Sequence, residues 1–151
     1  MSRDIFRDSR PTKDEYYLGI AEAVMRRSTC LRRKYGVVIV NNDEIVATGY
    51  NGNPRCLDNC IDLGFCSKED CNHNSSPDSY NICKSVHAEQ NALISARRVD
   101  MIGATLYIAG FDVQERMFLT NPIPCPICMR MIQNAGIKRV VNAAGDVKCM
   151  S

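Results

Sequence analysis

Gly36-Val37-Val38-Ile39-Val40-Asn41-Asn42-Asp43-Glu44-Ile45-Val46-Ala47-Thr48-Gly49-Tyr50 is a β-branched run, a polar turn and a second run of strand formers. Such a stretch predicts a β-hairpin, with Asn41-Asn42-Asp43 as its turn. Upstream, from Lys13 to about Ser28, the apolar residues Tyr17, Ile20, Ala21, Val24 and Met25 recur with helical spacing, and Thr12 three residues before Glu15 forms a capping-box pattern. The basic run Arg32, Arg33, Lys34 between this helix and the hairpin reads as a solvated connection. Downstream, residues 51 to about 84 carry Gly, Pro, Asn, Ser and scattered cysteines without a sustained period. Irregular loops of that length in compact domains are functional or held by something, so a metal-clamped loop is expected. A helix follows from Ala88 to about Arg98, a buried strand from Gly103 to Ile108, and an irregular segment from Gly110 to Asn121. Pro126 then opens a helix running to about Ala135, and Ile137 to Val141 forms a last strand. The order α-β-β-α-β-α-β predicts one layered sheet with helices packed on it.

Length and composition bound the reading. At 151 residues, 45% hydrophobic and 24% charged, the chain fits a single packed domain over residues 1–151. Nineteen basic against seventeen acidic residues leave a net charge of +2, too little for a general nucleic-acid binder, so a free small substrate fits better than a polymer. No apolar stretch approaches the roughly 20 residues of a membrane span, and the Arg- and Asp-rich N-terminus lacks a signal-peptide core, so a cytoplasmic protein is expected. Nine cysteines are many for this length, and an odd count without a secretory signal favours metal ligation over a complete disulfide framework. Five of them, Cys56, Cys60, Cys66, Cys71 and Cys83, crowd the irregular segment, whereas Cys149 reads as incidental.

Two short motifs carry the chemistry. His87-Ala88-Glu89 starts one predicted helix and Pro124-Cys125-Pro126-Ile127-Cys128 starts another. Cys-x-x-Cys at a helix N-terminus brings two sulfurs within reach of one ion, and the positive end of the helix favours the thiolates that zinc requires. One imidazole, His87, adds a third ligand. Three protein ligands leave the fourth tetrahedral position to water, whose pKa falls toward neutrality on zinc, so a catalytic rather than a closed structural centre is implied. Glu89, two residues beyond His87, is too constrained to share the ion yet near enough to move protons for that water. Alone, each piece has an ordinary explanation: a structural histidine, a first-turn acid, a redox pair or half of a zinc knuckle. Together, His-x-Glu followed by Pro-Cys-x-x-Cys is the pattern of zinc deaminases.

With these motifs the chain resembles the cytidine and deoxycytidylate deaminase superfamily, and within it the deoxycytidylate (dCMP) deaminases. The resemblance extends over Arg27-Ser28-Thr29-Cys30, 36–40, Thr48-Gly49-Tyr50-Asn51-Gly52, 86–92, 103–107, 124–128 and 134–141. It implies a cytidine deaminase-like three-layer αβα sandwich with a mixed central sheet. It also implies hydrolysis of dCMP to dUMP and ammonia by a zinc-bound hydroxide, supplying the precursor of thymidylate. The hairpin ending Gly-Tyr-Asn-Gly points to the nucleotide branch rather than to tRNA- or DNA-editing relatives. Further implications are a substrate contact from Asn51, a backbone contact from Ala88, and a second, structural zinc held by Cys30, Cys60, Cys66 and Cys83, with Cys56, Cys71 and His73 as nearby substitutes. Relatives are commonly homo-oligomers, often hexamers, and some respond to dCTP and dTTP.

Two departures stand out from that pattern: residues 110–122 enlarge the rim between Tyr107 and Cys125, and the chain stops soon after Val141. A phosphate anchor is therefore expected elsewhere, with Arg55, Lys84 and Arg116 as candidates. The alternatives are the same chemistry on another cytosine nucleoside or nucleotide, a riboflavin precursor or a tRNA base, and, from another class, a non-catalytic zinc-binding module.

Overall fold

A computed structural model describes residues 9–70 and 79–148, without the side chains of Glu69, Asp70, Ser79 and Tyr80. Cys71, His73 and Cys149 lie outside the described residues. The elements in order are α1 (Lys13–Met25), β1 (Arg33–Asn41), β2 (Glu44–Tyr50), α2 (Cys60–Leu63), α3 (Ser67–Asp70), α4 (Ser79–Ile82), α5 (Ala88–Ile94), α6 (Arg98–Met101), β3 (Thr105–Asp112), β4 (Met117–Phe118), α7 (Pro126–Asn134), β5 (Arg139–Asn142) and β6 (Gly145–Asp146).

The hairpin forms as its sequence predicts. Asn42 and Asp43 take φ of 50° and 62°, the left-handed pair that a two-residue turn matched to strand twist requires. Their strand β1 is longer than expected: Arg33 and Lys34 are not a solvated connection but pair with Asp112 and Phe111 of β3. β1 is antiparallel to β2 and to β3, and β3 is parallel to β5. The order β2-β1-β3-β5-β6, with β4 on the far end of β3, is thus a mixed sheet. The segment expected to be irregular from Gly110 begins as the last three residues of β3 and returns as β4.

Period-2 alternation splits the sheet into two apolar faces. Val37, Ile39, Leu106, Ile108 and Val140 join Ala88, Ala92, Leu93, Met129 and Ile132 on the side of α5 and α7. Val38, Val40, Tyr107, Ala109 and Val141 join Tyr17, Ala21 and Met25 on the side of α1. A helix layer covers each face, which is the three-layer αβα arrangement. The Thr12–Glu15 capping box starts α1 as expected, with Thr12 Oγ1 accepting from the Glu15 N–H and the Glu15 carboxylate accepting from the Thr12 N–H.

Two glycines allow the layers this close. A Cβ on Gly36 would run into the backbone of Ala21 and Met25 of α1, and one on Gly49 would run into the backbone of Ala88 and Ala92 of α5. The helix expected through Arg98 stops at Ile94, where Ser95 Oγ donates to the Asn91 carbonyl at 2.8 Å, and α6 begins separately after Arg97. The irregular 51–84 segment holds three four-residue helices too short to show an amphipathic period. Among the described residues no helix is long and apolar enough to cross a membrane.

Candidate metal centre and active site

His87 is the residue that caps α5, and the chain leading to it is pinned to the end of the hairpin. Gly52 and Val86 exchange two backbone hydrogen bonds, at 3.2 and 2.8 Å, and Asn91 Nδ2 donates to the Tyr50 carbonyl at 2.8 Å. The His87 N–H donates to Gln90 Oε1 at 2.9 Å. These bonds fix where α5 starts, and with it the reach of the imidazole. On the facing helix, Cys125 occupies the N-cap of α7 with Pro126 after it, and its Sγ accepts the Cys128 N–H at 3.4 Å. Proline fits this first position because its missing donor would be unpaired there anyway.

The two helix starts bring His87, Cys125 and Cys128 together, with ligand atoms all within 4.8 Å of one another. His87 Nδ1 lies 3.6 Å from Cys125 Sγ and 3.3 Å from Cys128 Sγ. Zinc–sulfur and zinc–nitrogen bonds of about 2.3 and 2.0 Å at a tetrahedral angle put the S···N edge at about 3.5 Å, between the two distances found, so the three donors fit a zinc ion. Burial holds the His87 imidazole below its ordinary pKa and so keeps it neutral, as a ligand must be. Burial, reinforced by the Glu89 carboxylate and Cys125, pushes the Cys128 thiol up. A divalent cation reverses that penalty, since a coordinating thiol is deprotonated outright.

Glu89 is 94% buried by its 6% relative exposure, and burial raises its carboxyl above the ordinary range. It lines a cavity of about 600 Å³ together with His87, Ala88 and Cys125, a volume within the range of small-molecule sites. Tyr35, Phe65 and Ile123 line the same cavity and were not marked by sequence, because each sits in a segment without a motif.

Asn51 lines the cavity too, but most of its amide is spoken for. Its Oδ1 accepts from Ser28 Oγ at 2.6 Å and from the Tyr35 N–H at 2.8 Å, and its Nδ2 donates to the Arg33 carbonyl at 2.9 Å. Of the expected phosphate anchors only Lys84 lines the cavity. Arg55 and Arg116 do not, and Arg32, Arg33 and Lys68 do. Cys30, Cys60, Cys66 and Cys83 all line this cavity, and the Cys60 thiol is raised first by burial and then by the other three. Among the described residues, however, only His87, Cys125 and Cys128 form a group of three or more ligand atoms within 4.8 Å.

Comparison with known proteins agrees with this geometry. The family described as the cytidine and deoxycytidylate deaminase zinc-binding region matches residues 11–144. The deoxycytidylate deaminase of Mycobacterium phage D29 is 39% identical over 137 residues, covering 88% of this chain and 95% of that one. The deoxycytidylate deaminase of Saccharomyces cerevisiae is 39% identical over 134 residues, 87% of this chain, and the chain spans 38% of that protein. Among solved structures, the dCMP deaminase of cyanophage S-TIM5 in complex with dCMP and dUMP superposes with a TM-score of 0.61 at 31% identity, covering 89% of this chain and 82% of that one.

Proposed function

Because the chain belongs to the cytidine and deoxycytidylate deaminase family, we propose that it hydrolyses dCMP to dUMP and ammonia in the cavity at the start of α5, beside the N-cap of α7. The observation that carries this reading is the convergence of His87, Cys125 and Cys128 beside the buried carboxylate of Glu89. A zinc ion on those three donors supplies the Lewis acidity that makes water a competent nucleophile near neutral pH. Glu89 takes the proton that water releases and delivers it to the ring nitrogen next to carbon 4 of the base. The water oxygen bonds to carbon 4, which becomes tetrahedral; the proton left on that oxygen then passes through Glu89 to the amine, and the carbon–nitrogen bond breaks to release ammonia as the carbonyl forms. The exclusion of solvent around Glu89 strengthens each of these transfers. The Ala88 backbone holds the pyrimidine ring. The Asn51 amide, with Oδ1 occupied, serves the sugar through the one Nδ2 hydrogen that Arg33 does not take.

Glu89→Gln tests the assignment. The variant should keep one zinc at this centre and bind dUMP, while kcat falls about 10²- to 10⁴-fold, the usual contribution of a general acid–base. Full turnover with zinc in place would remove Glu89 from the chemistry.

The same reading assigns a structural zinc to Cys30, Cys60, Cys66 and Cys83, which would clamp the segment between β2 and α5. It is supported by the four cysteines lining one cavity and by Cys30, Cys66 and Cys83 each adding to the effect of burial in raising the Cys60 thiol. Two zinc ions per chain, falling to one in Cys60→Ser with turnover partly retained, is the expected result. A single deaminase domain over 1–151, a cytoplasmic homo-oligomer, a hexamer by resemblance, with dCTP and dTTP as effectors and no nucleic acid as partner, completes the proposal. Light scattering and dCMP kinetics with each triphosphate test it.

A further inference from the structure

Tyr35 and Gly110 are register partners of β1 and β3. A Cβ on Gly110 would come within 3.0 and 3.1 Å of Tyr35 Cε1 and Cδ1, and within 2.8 Å of Leu119 Cδ1. The tyrosine ring therefore leans across its bare cross-strand partner, and Leu119 crowds the same spot. Leu119 is placed there by its own backbone, because its N–H donates to the Gly110 carbonyl at 2.8 Å. That bond continues the ladder that Met117 and Phe118 make with Asp112 and Phe111. Gly110 and Leu119 both belong to the 110–122 segment, the departure that enlarges the rim before Cys125. The segment thus seats a ring that belongs to β1.

The ring stands midway along the cavity wall. On the α5 side of β1, Val37 is fully buried, Tyr35 half-buried and Arg33 exposed, so exposure rises step by step toward the start of the strand. Tyr35, Arg32 and Arg33 line the cavity, as do Ala88 and Glu89. Tyr35 therefore lies between the end where the base meets the metal ligands and the more exposed end that holds the two arginines. Asn51, assigned to the sugar above, accepts the Tyr35 N–H at 2.8 Å and so ties the root of the side chain to the same place. Its tip is tied as well. The Arg33 guanidinium, which can only donate, hydrogen-bonds the phenolic oxygen, and Glu89 and Cys30 lie within electrostatic reach. With the oxygen engaged by Arg33, the rest of the ring offers the middle of the cavity only carbon.

The middle of a nucleotide is its sugar, and ribose differs from 2′-deoxyribose by one hydroxyl. A hydroxyl pressed against aromatic carbon gives up water without gaining a partner, whereas the bare C2′ of a deoxyribose loses nothing. We infer that the Tyr35 ring, seated by Gly110 and Leu119, reads the sugar, admitting 2′-deoxyribose and disfavouring ribose. Leu119 is the positioning residue of that ring. The inference rests on the dCMP reading above, and it gives the 110–122 segment a role in substrate choice.

The test uses the zinc-loaded full chain. Wild type, Tyr35→Phe, Tyr35→Val, Leu119→Ala, Leu119→Met and Ile123→Ala are compared for kcat/KM on dCMP against CMP, and for inhibition by dUMP against UMP. Thermal midpoint and zinc content certify folding. Tyr35→Val should cut the preference for the deoxyribose ligand about tenfold to a hundredfold, the worth of a hydroxyl left without a partner. The change should come through a gain on CMP, which a damaged fold cannot give. Tyr35→Phe, which keeps the ring, should keep the preference. Leu119→Ala should lose a smaller part of it, restored in Leu119→Met. Undiminished preference in Tyr35→Val, or its loss in Ile123→Ala instead, overturns the inference. Loss in Tyr35→Phe overturns it too, since the hydroxyl and not the ring would then be the reader. A wild type that deaminates dCMP and CMP equally removes this inference alone, and one that deaminates neither removes the dCMP reading with it.

Discussion

The side-chain carbonyl of Asn51 accepts a hydrogen bond from the backbone N–H of Tyr35 at 2.8 Å. That bond, with those to Ser28 and Arg33, makes the end of β2 the splice between the end of α1 and the start of β1. Removing the amide in Asn51→Ala leaves the Tyr35 N–H and the Arg33 carbonyl short of a partner in a half-buried place. A cost of about 2–6 kcal/mol is expected, from one to three for each of the two orphaned groups. Urea unfolding of the variant measures it, and an unchanged midpoint would mean that solvent replaces the amide freely.

Cys125 and Cys128 both hold metal in the proposed site, yet their substitutions should differ once the metal is gone. Cys125 is half-buried and caps α7 through its sulfur, a job that a serine hydroxyl does well. Cys128 is completely buried, and a serine there adds a hydroxyl where a small apolar group belongs. With chelator present, Cys125→Ser should unfold within about 0.5 kcal/mol of the metal-free parent, and Cys128→Ser should lose about 1–3 kcal/mol. With zinc present, both should lose the catalytic ion and turnover. Denaturation in chelator beside metal analysis of each variant separates ligation from packing.

Gly36 and Gly49 permit the close approach of different layers, which predicts different failures. A methyl at Gly49 pushes against Ala88 and Ala92 and so displaces the helix that begins at His87 and carries Glu89. A methyl at Gly36 pushes α1 off the other face, away from the metal ligands. Each should cost about 3 kcal/mol, the upper part of the range for overpacking. Only Gly49→Ala should also weaken zinc binding in the folded fraction, by about tenfold or more. Zinc titration against a competing chelator below the unfolding midpoint decides; equal zinc affinity in the two variants would contradict it.

The parts of the molecule legible in sequence were those written in local patterns. Thr12 and Glu15 are three residues apart, Asn42 and Asp43 bend the chain within two residues, and Pro126 marks the first turn of α7. His87, Cys125 and Cys128 were legible because zinc constrains residue type as well as spacing. What escaped depends on distant partners. Arg33 and Lys34 looked like a solvated run because their strand identity is conferred by Asp112 and Phe111, nearly eighty positions on. For Asn51 the resemblance implies a substrate contact, and nothing local shows that Ser28, Arg33 and Tyr35 converge on its amide. The helices of the 51–84 segment are one turn each, too short for hydrophobic spacing to register.

Acid should unfold the protein partly through Asp14. The side-chain hydrogen bonds from Arg139, at 2.6 and 3.0 Å, hold the Asp14 carboxyl below its usual 3.8, against the opposing pull of burial, and Tyr107 adds a bond at 2.8 Å. A carboxyl with a depressed folded pKa contributes its full stability above the unfolded value, and loses it as pH falls through the folded one. The contribution is therefore intact at pH 5 and above, and is lost below 3.8. Because both partners are more than a third exposed, solvent screens the pair and its worth is about 1 kcal/mol. Asp14→Asn should thus lose about 1 kcal/mol at neutral pH and show a flatter fall in stability below pH 4 than the parent. Because Asp14 sits in the first turn of α1, part of the neutral-pH loss comes from the helix dipole, which Arg139→Gln leaves intact. A parallel pH series on both variants divides the two contributions, and an acid limb in Asp14→Asn as steep as the parent's would assign acid sensitivity to other carboxylates.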